Sequence, residues 1–372
     1  MADIFTPWRI NDLTIPNRLV RSATWEGMAG DDGVPSHDSI NLTAELAEGG
    51  VGLVITGYAF VRPEGRGLFR QTGAHIDAMI GPLARMSDAV HQNGGLVALQ
   101  IVHAGGQTMS SWIGQNPVGP SAMVHPSFNA QVVEELREEQ IWEIVGAFAA
   151  AAARAQAAGF DAVQLHGAHG YLINQFLSPN TNLRGDQWGG PLANRARFAL
   201  EVLKACRQAV GPRYPLFIKL NSHDAFAGGL ELHDAVEVAR MLDQAGIDAI
   251  EVSGGVPGGG KLSPSRVVKT PEDEGYFLEH ALAIKAVVRC PVISVGGWRS
   301  RSRVEAALDR VDAVSMSRPF IRQPNLANLW KSGGPDQATC ISCNGCFVVG
   351  RKQGIACAQE LKAQGQEVQP AK

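Results

Sequence analysis

The chain has 372 residues and carries 33 lysine and arginine residues against 36 aspartate and glutamate residues, a formal net charge of −3. This near balance argues against nucleic acid and anionic membranes as partners, because both select basic surfaces. Hydrophobic residues make up 45% of the chain, yet none of its apolar runs reaches the roughly 18 residues that a membrane-spanning helix needs.

The amino-terminal segment, MADIFTPWRINDLTIPNR, lacks the charged and then apolar layout of a signal peptide. We therefore expect a cytoplasmic protein. Beyond this segment, glycines cluster at the ends of short apolar runs, a distribution typical of tight strand-to-helix turns.

Eight short apolar runs along the chain have the composition of buried β-strands. Between them lie alanine- and leucine-rich helical stretches: 40–48, 79–92, 139–158, 195–210, 232–245, 278–288 and 302–308. The predicted strands are Leu19–Ser22, Leu53–Thr56, Leu99–Val102, Ala162–Leu165, Leu216–Leu220, Ala249–Val252, Val292–Val295 and Ala313–Ser315.

This alternation predicts the α/β class and, specifically, a (β/α)8 TIM barrel over residues 1–332, followed by a cysteine-rich tail over 333–372. The G-x-G-x-x-G fingerprint that would favour an open doubly wound sheet is missing after the first strand. The long segment 105–138 has few regular patterns, and we expect it to cap the barrel mouth. A second irregular excursion covers 261–274, at the same end.

In a TIM barrel, chemistry collects where the strands end. The residues there are mostly hydrogen-bonding groups and glycines, which suit a flat polar heterocycle with a phosphate tail. From the first three strands, the candidates for binding such a cofactor are Ser22, Ala23, Thr24, Gly57 and Gln100, with Trp25 beside them.

The fourth strand is followed by the sequence HGAHGY, which places His166, His169 and Tyr171 in one short loop. Two imidazoles and a phenol can all hydrogen-bond a carbonyl or anionic oxygen, and the phenol can also deliver a proton. The histidines converge only if the strand ends near His166 and the chain turns at Gly167. A zinc pair is the weaker interpretation, since no carboxylate or cysteine lies nearby to complete a tetrahedral site.

Lys219 lies on the fifth strand between apolar neighbours, so it needs an anionic partner to stay charged. One such partner is the negative N1–C2=O edge of a reduced flavin. A Schiff-base lysine is the competing interpretation, and the neighbouring residues do not decide between them.

A phosphate site is expected after the last two strands, where this fold commonly binds phosphate. A glycine turn, a helix amino terminus with Ser300 or Ser302 as its cap, and one guanidinium would supply the donors. Alternatively, the glycines serve only tight turns. The residues concerned are Gly296, Gly297, Ser317 and Arg318.

Four of the six cysteines lie in the tail, as Cys340-x2-Cys343-x2-Cys346-x10-Cys357. Four thiolates at such spacing are a general metal-binding signal. Cys206 and Cys290 lie on barrel elements, and we expect them in the core.

Taken together, these motifs resemble the Old Yellow Enzyme family of FMN-dependent NADH:flavin oxidoreductases over about residues 3 to 332. The resemblance rests on the motifs FTP, NR, LQIVHAGGQ, HGAHGY, FLSPNTNLRGDQWGG with its following Asn-Arg, and Ser317-Arg318. It implies noncovalent FMN, with Gln100 on the pyrimidine, Lys219 at N1, and Gly297 and Arg318 on the phosphate.

The same resemblance assigns the chemistry. His166 and His169 match the pair that holds the electron-withdrawing oxygen of an unsaturated carbonyl substrate, and Tyr171 matches the proton donor. Hydride would pass from NAD(P)H through flavin N5 to the alkene Cβ while Tyr171 protonates Cα. The chain departs from the family at two positions: many members have Arg in place of Lys219, and some have Cys or Thr in place of Trp25, which we expect to shape the substrate space.

The tail resembles the iron–sulfur segment of 2,4-dienoyl-CoA reductase and trimethylamine dehydrogenase, although its second and third cysteine gaps are each one residue shorter. A [4Fe–4S] cluster, a zinc ion and a metal-free remnant all stay open for Cys340, Cys343, Cys346 and Cys357.

The sequence thus predicts an ene reductase or NAD(P)H:flavin oxidoreductase acting on a small unsaturated carbonyl compound, and it is compatible with a homo-oligomer. Two alternatives stay open. One is a flavin-dependent demethylase or dehydrogenase of small amines, and the other is a metal-binding interaction module on an inactive barrel.

Overall fold

A closed parallel barrel forms the centre of the molecule. The computed structural model describes residues 3–125, 131–256 and 264–366. Its strands are β1 (Trp8–Ile10), β2 (Leu13–Ile15), β3 (Leu19–Arg21), β4 (Leu53–Ile55), β5 (Ala59–Phe60), β6 (Val97–Val102), β7 (Val118–Gly119), β8 (Met123–Val124), β9 (Val132–Glu135), β10 (Ala162–Gly167), β11 (Leu216–Asn221), β12 (Ala249–Ser253), β13 (Val292–Val295) and β14 (Ala313–Met316).

Eight of these strands are the eight expected from the sequence. They pair in parallel in the order β10-β11-β12-β13-β14-β3-β4-β6, and β6 pairs with β10 to close the barrel. Residues on neighbouring strands are therefore held opposite each other: His166 faces Lys219 across β10 and β11, and Lys219 faces Glu251 across β11 and β12. The predicted (β/α)8 TIM barrel is confirmed.

Helices surround the barrel, and each predicted helical stretch corresponds to one of them. The short α3, α5, α10, α11 and α13 were not expected, because each is less than two turns long and shows no period. The nine-residue α12 in the tail was not expected either. The helices are α1 (His37–Glu48), α2 (Ile80–Gln92), α3 (Ser110–Ile113), α4 (Glu138–Ala157), α5 (Leu172–Leu177), α6 (Leu192–Val210), α7 (Leu232–Gln244), α8 (Leu278–Lys285), α9 (Arg301–Leu308), α10 (Arg318–Arg322), α11 (Leu326–Lys331), α12 (Gly345–Gln353) and α13 (Ala358–Ala363). None of these described helices is both long and apolar enough to cross a bilayer.

Apolar side chains fill the amino-terminal half of the barrel interior. The antiparallel hairpin β1–β2 supplies Trp8, Ile10 and Ile15 to this cluster. Large and small residues from the strands interdigitate above it, which suits a closed space. The members from the barrel strands are Val20, Leu53, Ile55, Ala98, Ala162, Phe217, Ala249, Ile293 and Ala313. Because these side chains fill this half of the interior, a ligand inside the barrel would lie toward the carboxyl ends of the strands.

The segment 105–138 is more regular than the sequence suggested. It contains α3 and a small sheet in the order β7-β9-β8. Arg184 fastens the segment to the barrel by donating to the carbonyls of Pro120 and Leu136 at 2.9 and 2.7 Å. Within this expected cap, Pro126 lies outside the described residues, as does Lys261 of the second excursion.

The tail crosses the carboxyl ends of the last and first barrel strands. Ala338 donates to the carbonyl of Arg299 at 2.7 Å, and Ile355 donates to the carbonyl of Glu26 at 2.7 Å. A Cβ atom on Gly27, whose φ is +62°, would lie 2.6 Å from the carbonyl oxygen of Gly350. Only a residue without a side chain allows α12 to approach this closely.

We expect the Phe148→Ala substitution to destabilise the fold strongly. Phe148 is fully buried between α4 and α6, with its ring 6.4 Å from that of Phe198. Truncation leaves a cavity that costs about 3–5 kcal/mol of unfolding free energy. The measurement is denaturant unfolding, with Phe226→Ala as the matched control because Phe226 is 36% exposed. Equal losses in the two variants would contradict the assignment.

Candidate active site

A cavity of about 390 Å³ lies at the carboxyl ends of the barrel strands. Most of the candidate site residues line it, although they come from strands far apart in the chain. The residues predicted from the sequence that line the cavity are Ser22, Ala23, Thr24, Trp25, His166, His169, Tyr171, Lys219, Gly297, Ser317 and Arg318.

Three predicted residues lie outside the lining. Gly57 follows β4, and its N–H donates to Glu26 Oε1, in the segment after β3, at 3.2 Å. Gln100 lies in the barrel interior. Gly296 adopts a φ of +148° and sits against the backbone of Tyr276 and Phe277.

Other lining residues were not predicted as site residues. Tyr58 lies three residues after β4 and Ser253 is the last residue of β12, so their position near strand ends was a usable signal. Phe347 and Arg351 come from α12, and no local pattern linked that helix to the barrel mouth. None of the described residues of 105–138 lines the cavity. The segments that line the cavity mouth instead are those after the sixth and seventh strands, with Pro264, Ser265, Tyr276 and Trp298, and the tail.

The loop after β10 brings His166 and His169 together. β10 ends at Gly167, and His169 takes a left-handed φ of +61°, which turns its ring back toward the cavity. The two imidazole centroids are 5.3 Å apart, and the His166 ring is 4.7 Å from that of Tyr171. The convergence inferred from the motif is therefore present.

Both imidazoles are neutral at ordinary pH. Burial, followed by the charge of Lys219, lowers the pKa of His169 to about 3. Burial, His169 and Lys219 lower the pKa of His166 well below its ordinary value. His166 Nδ1 accepts from the Ala168 N–H at 3.3 Å, so its own proton is on Nε2. The pair can donate hydrogen bonds without carrying charge.

Tyr171 is coupled to a second phenol. Its hydroxyl donates to the Tyr58 hydroxyl at 2.9 Å. Burial raises the pKa of Tyr171 to about 12, although the hydrogen bond to Tyr58 acts in the opposite direction. Both phenols therefore hold their protons across the physiological range.

A buried polar network lies beneath the cavity. Lys219 Nζ donates to Ser22 Oγ at 2.7 Å and lies 3.3 Å from Glu251 Oε1. Gln164 joins Glu251 to Gln100, whose Oε1 is buried without a partner. Glu251 and Gln164 were not predicted, although a charged residue inside the apolar run AIEVS was a visible signal.

The glycine turn after β13 lies against aromatic and aliphatic side chains. A Cβ atom on Gly297, with φ of +75°, would lie 2.6 Å from Tyr276 Cε1 and 2.6 Å from Val268 Cγ2. The amino terminus of α9 differs from the expectation: the Glu274 carboxylate accepts from the N–H groups of Arg299 and Ser300 at 2.8 and 2.9 Å. These two donors are thus used within the protein and do not serve a phosphate.

The remaining groups suit FMN. The partnerless carbonyl oxygen of Gln100 calls for an N–H donor such as a flavin pyrimidine carries. Lys219 supplies a cation at the cavity wall, and Arg318 and the backbone of Gly297 supply donors at its other end. This donor set matches a planar heterocycle with a phosphate tail.

The four tail cysteines surround one small cavity beside Arg318. None of the six cysteines forms a disulfide. Burial, together with the neighbouring Cys340 and Cys343, raises the pKa of the Cys346 thiol to about 11. In the described ranges, no three His, Cys, Asp or Glu side chains are close enough to hold a single metal ion. Cys206 and Cys290 are buried in the barrel core.

Comparison with known proteins identifies the family. The sequence matches the NADH:flavin oxidoreductase / NADH oxidase family over residues 3–337. The chain belongs to this family. It is 37% identical over 351 residues to an NADH oxidase of Thermoanaerobacter brockii, covering 93% of this chain and 53% of that protein. It is 34% identical over 375 residues to a 4,4'-dithiodibutanoate disulfide reductase of Rhodococcus erythropolis, covering 92% of each.

Solved structures agree with this membership. A 2-naphthoyl-CoA reductase superposes with a TM-score of 0.88 at 31% identity, over 95% of this chain and 56% of that one. An Old Yellow Enzyme homologue from Zymomonas mobilis superposes with a TM-score of 0.78 at 27% identity, over 91% of this chain and 94% of that one. A 6-hydroxypseudooxynicotine amine oxidase from Pseudomonas geniculata superposes with a TM-score of 0.86 at 25% identity, over 99% of this chain and 56% of that one.

The family expected from the motifs is thus confirmed, and so is its barrel fold. The chain spans about half the length of the NADH oxidase, the 2-naphthoyl-CoA reductase and the amine oxidase. It matches the disulfide reductase and the Old Yellow Enzyme homologue over nearly their whole length.

We expect the folded protein to resist tyrosine ionisation. Burial raises the pKa of every tyrosine in the sequence above its ordinary value of about 10; these are Tyr58, Tyr171, Tyr214 and Tyr276. Because folding raises these pKa values, ionisation opposes folding, and stability falls as pH rises from about 10 toward 12. Ultraviolet difference spectroscopy should detect little tyrosinate at pH about 10. The denatured chain is the control, and half-ionised phenols in the folded protein would refute this prediction.

Proposed function

We propose that this protein binds FMN at the barrel mouth and uses NAD(P)H to reduce the activated alkene of a small unsaturated carbonyl compound. The observation that carries the proposal is the convergence of neutral His166, neutral His169 and protonated Tyr171 on the cavity that Lys219 also lines. Hydrogen-bond donors, a proton source and a cation together fit the conversion of an unsaturated carbonyl through an enolate.

Gln100, Lys219, Gly297 and Arg318 would hold the cofactor, at its pyrimidine, its N1 edge and its phosphate. Bound FMN would supply a centre that accepts hydride from NAD(P)H and returns hydride to the alkene. The backbone and hydroxyl groups around these residues complete the proposed binding set: Ser22, Ala23, Thr24, Gly57, Gly296 and Ser317.

His166 and His169 orient the substrate by donating to its carbonyl oxygen. Because both rings are neutral, the negative charge that develops on this oxygen meets hydrogen bonds without a prior proton transfer. Ser253 Oγ, 2.8 Å from His169 Nε2, helps to fix that ring.

Tyr171 protonates the substrate at Cα. Its pKa of about 12 keeps the proton in place until a strongly basic carbon is presented. Tyr58, at 2.9 Å, holds the hydroxyl ready in the resting state. Trp25 is buried beside these groups, with its Nε1 donating to the carbonyl of Phe69 at 3.2 Å, and it limits the size of the substrate.

The charge of the cavity favours a neutral or anionic substrate over a cationic amine. Among the described residues that line it, Lys219, Arg318 and Arg351 are cations and there is no carboxylate. A protonated amine would be repelled by this lining. The lining thus gives no support to amine oxidation, despite the similarity to an amine oxidase. The intact donor set likewise argues against an inactive barrel.

We also propose that Cys340, Cys343, Cys346 and Cys357 ligate a [4Fe–4S] cluster. They share one cavity but are not gathered closely enough for one ion. A cluster with four iron corners accepts thiolates that are farther apart than the ligands of a zinc ion.

The principal experiment compares the purified flavoprotein with Tyr171→Phe and with the double variant His166→Ala, His169→Ala. Under anaerobic conditions, NADPH or NADH should bleach the flavin band, and cyclohexenone should restore it. Loss of the proton donor in Tyr171→Phe should slow alkene reduction by about 10²–10⁴-fold while leaving the reduction by NAD(P)H intact.

The double histidine variant should raise the KM for the enone and weaken the binding of phenols, since both need the same donors. Tyr214→Phe is the matched control, because Tyr214 donates to the carbonyl of Phe160 at 2.7 Å, away from the cavity. Parallel assays with 4,4'-dithiodibutanoate and an N-methyl amine test the other substrate classes. A colourless protein unable to take up FMN, or bleaching only by the amine, would overturn the proposal.

For the tail, protein purified without oxygen should contain about four iron and four acid-labile sulfide per chain. Cys343→Ser should lose this content, whereas Cys290→Ala should retain it because Cys290 lies in the barrel core. Stoichiometric zinc without sulfide, or no metal, would contradict the cluster.

A further inference from the structure

Glu251 is a carboxylate sealed inside the barrel. It lies in the middle of β12 and is fully buried. It is not among the residues that line the cavity. A buried charge of this kind is costly unless it is fully paired, so its partners indicate its role.

The partners come from four other barrel strands or their ends. Glu251 Oε1 accepts from Ser22 Oγ at 2.7 Å and from Ser315 Oγ at 2.7 Å. Glu251 Oε2 accepts from Gln164 Nε2 at 2.7 Å, and Lys219 Nζ lies 3.3 Å from Oε1. Three of these partners, Ser22, Ser315 and Lys219, line the cavity. Glu251 therefore holds three side chains of the cavity wall in place from inside the barrel.

The carboxylate also sets the direction of a hydrogen-bond chain. An ionised carboxylate only accepts, so the Gln164 amide must turn its NH2 group toward Glu251. Gln164 Oε1 then faces Gln100, whose Nε2 donates to it at 2.6 Å. Gln100 is left with its carbonyl oxygen free of partners, as the structure shows. Glu251 thus determines, through Gln164, that Gln100 offers an acceptor to a ligand N–H.

Glu251 determines the charge under the cavity as well. Burial alone would raise the pKa of its carboxyl group, but Lys219, Ser22, Ser315 and Gln164 together lower that pKa below its ordinary value. Burial lowers the pKa of Lys219, Glu251 opposes this shift, and the positive charge of Arg21 on β3 lowers that pKa further. The carboxylate thereby keeps the lysine protonated while balancing its charge.

We propose that Glu251 is a positioning residue that sets the reduction potential and the binding of the flavin by balancing Lys219 and by orienting Gln100 through Gln164. This inference rests on the proposed FMN site. Without the carboxylate, the lysine charge is unbalanced and stabilises an anionic reduced flavin more strongly. Glu251 therefore holds the bound flavin at a lower, more strongly reducing potential.

The test measures the two-electron potential of bound FMN against a reference dye, from about pH 6 to pH 9, in wild-type protein, Glu251→Gln and Glu251→Asp. In Glu251→Gln at about pH 6, reduced FMN should bind at least about tenfold more tightly relative to oxidised FMN than in wild type, a positive shift of about 30 mV. The shift should shrink as pH rises, because Lys219 then loses its proton more readily. Glu251→Asp keeps the charge and should return most of the wild-type potential.

Two further variants separate the charge effect from the hydrogen-bond chain. Gln164→Leu breaks the chain to Gln100, so it should weaken binding of oxidised FMN by about tenfold. Because it also removes one donor to Glu251, it should share the small positive shift in potential expected of Ser315→Ala, and the loss of FMN binding distinguishes the two variants. Ser315→Ala removes one donor to the carboxylate, which then takes up a proton at higher pH. At about pH 6 it should shift the potential of bound FMN in the same positive direction as Glu251→Gln, but by less. This variant therefore tests the inference even if Glu251→Gln does not fold.

The outcomes distinguish this inference from the proposed function. If wild-type protein takes up no FMN, the cofactor proposal itself fails. If wild-type protein binds FMN but folded Glu251→Gln has the wild-type potential at every pH, the role of Glu251 is refuted. Unchanged potentials in Ser315→Ala refute it equally when Glu251→Gln cannot be prepared.

Discussion

The register of the parallel barrel strands is the constraint on which the site depends. Pairing places His166 beside Lys219, Lys219 beside Glu251, and Gln164 beside Gln100. A slip of one residue in any of these pairs would turn a polar side chain from the interior into the helix layer. Closure of the barrel between β6 and β10 fixes all of these pairs at once.

Burial then gives each ionisable group a distinct state. It keeps His166 and His169 neutral and raises the pKa of Tyr171, so the upper part of the cavity holds uncharged donors. Lys219 is equally buried but sits 3.3 Å from a carboxylate, so the layer beneath these donors holds an ion pair. A planar cofactor between these layers would meet a cation on one side and proton donors on the other.

The tail belongs to the site and is not an appendage. Arg318 Nη1 donates to Asn344 Oδ1 at 2.7 Å and to the Ser342 carbonyl at 3.2 Å, within the cysteine segment. Phe347 and Arg351 line the cavity, and α12 packs on the indole of Trp25 at Gly350. The cysteine segment is thus in direct contact with residues at the barrel mouth.

The sequence by itself determined the eight strands, the long helices and the HGAHGY loop, because hydrophobic period and turn residues are local properties of the chain. It also located Lys219, Gly297 and Arg318 at strand ends. Only the tertiary structure decided that Tyr58 holds Tyr171, that α12 completes the cavity wall, and that Glu274 accepts from the N–H groups just before α9. Each of these contacts joins segments remote in the chain, and barrel closure, rather than any local pattern, brings them together.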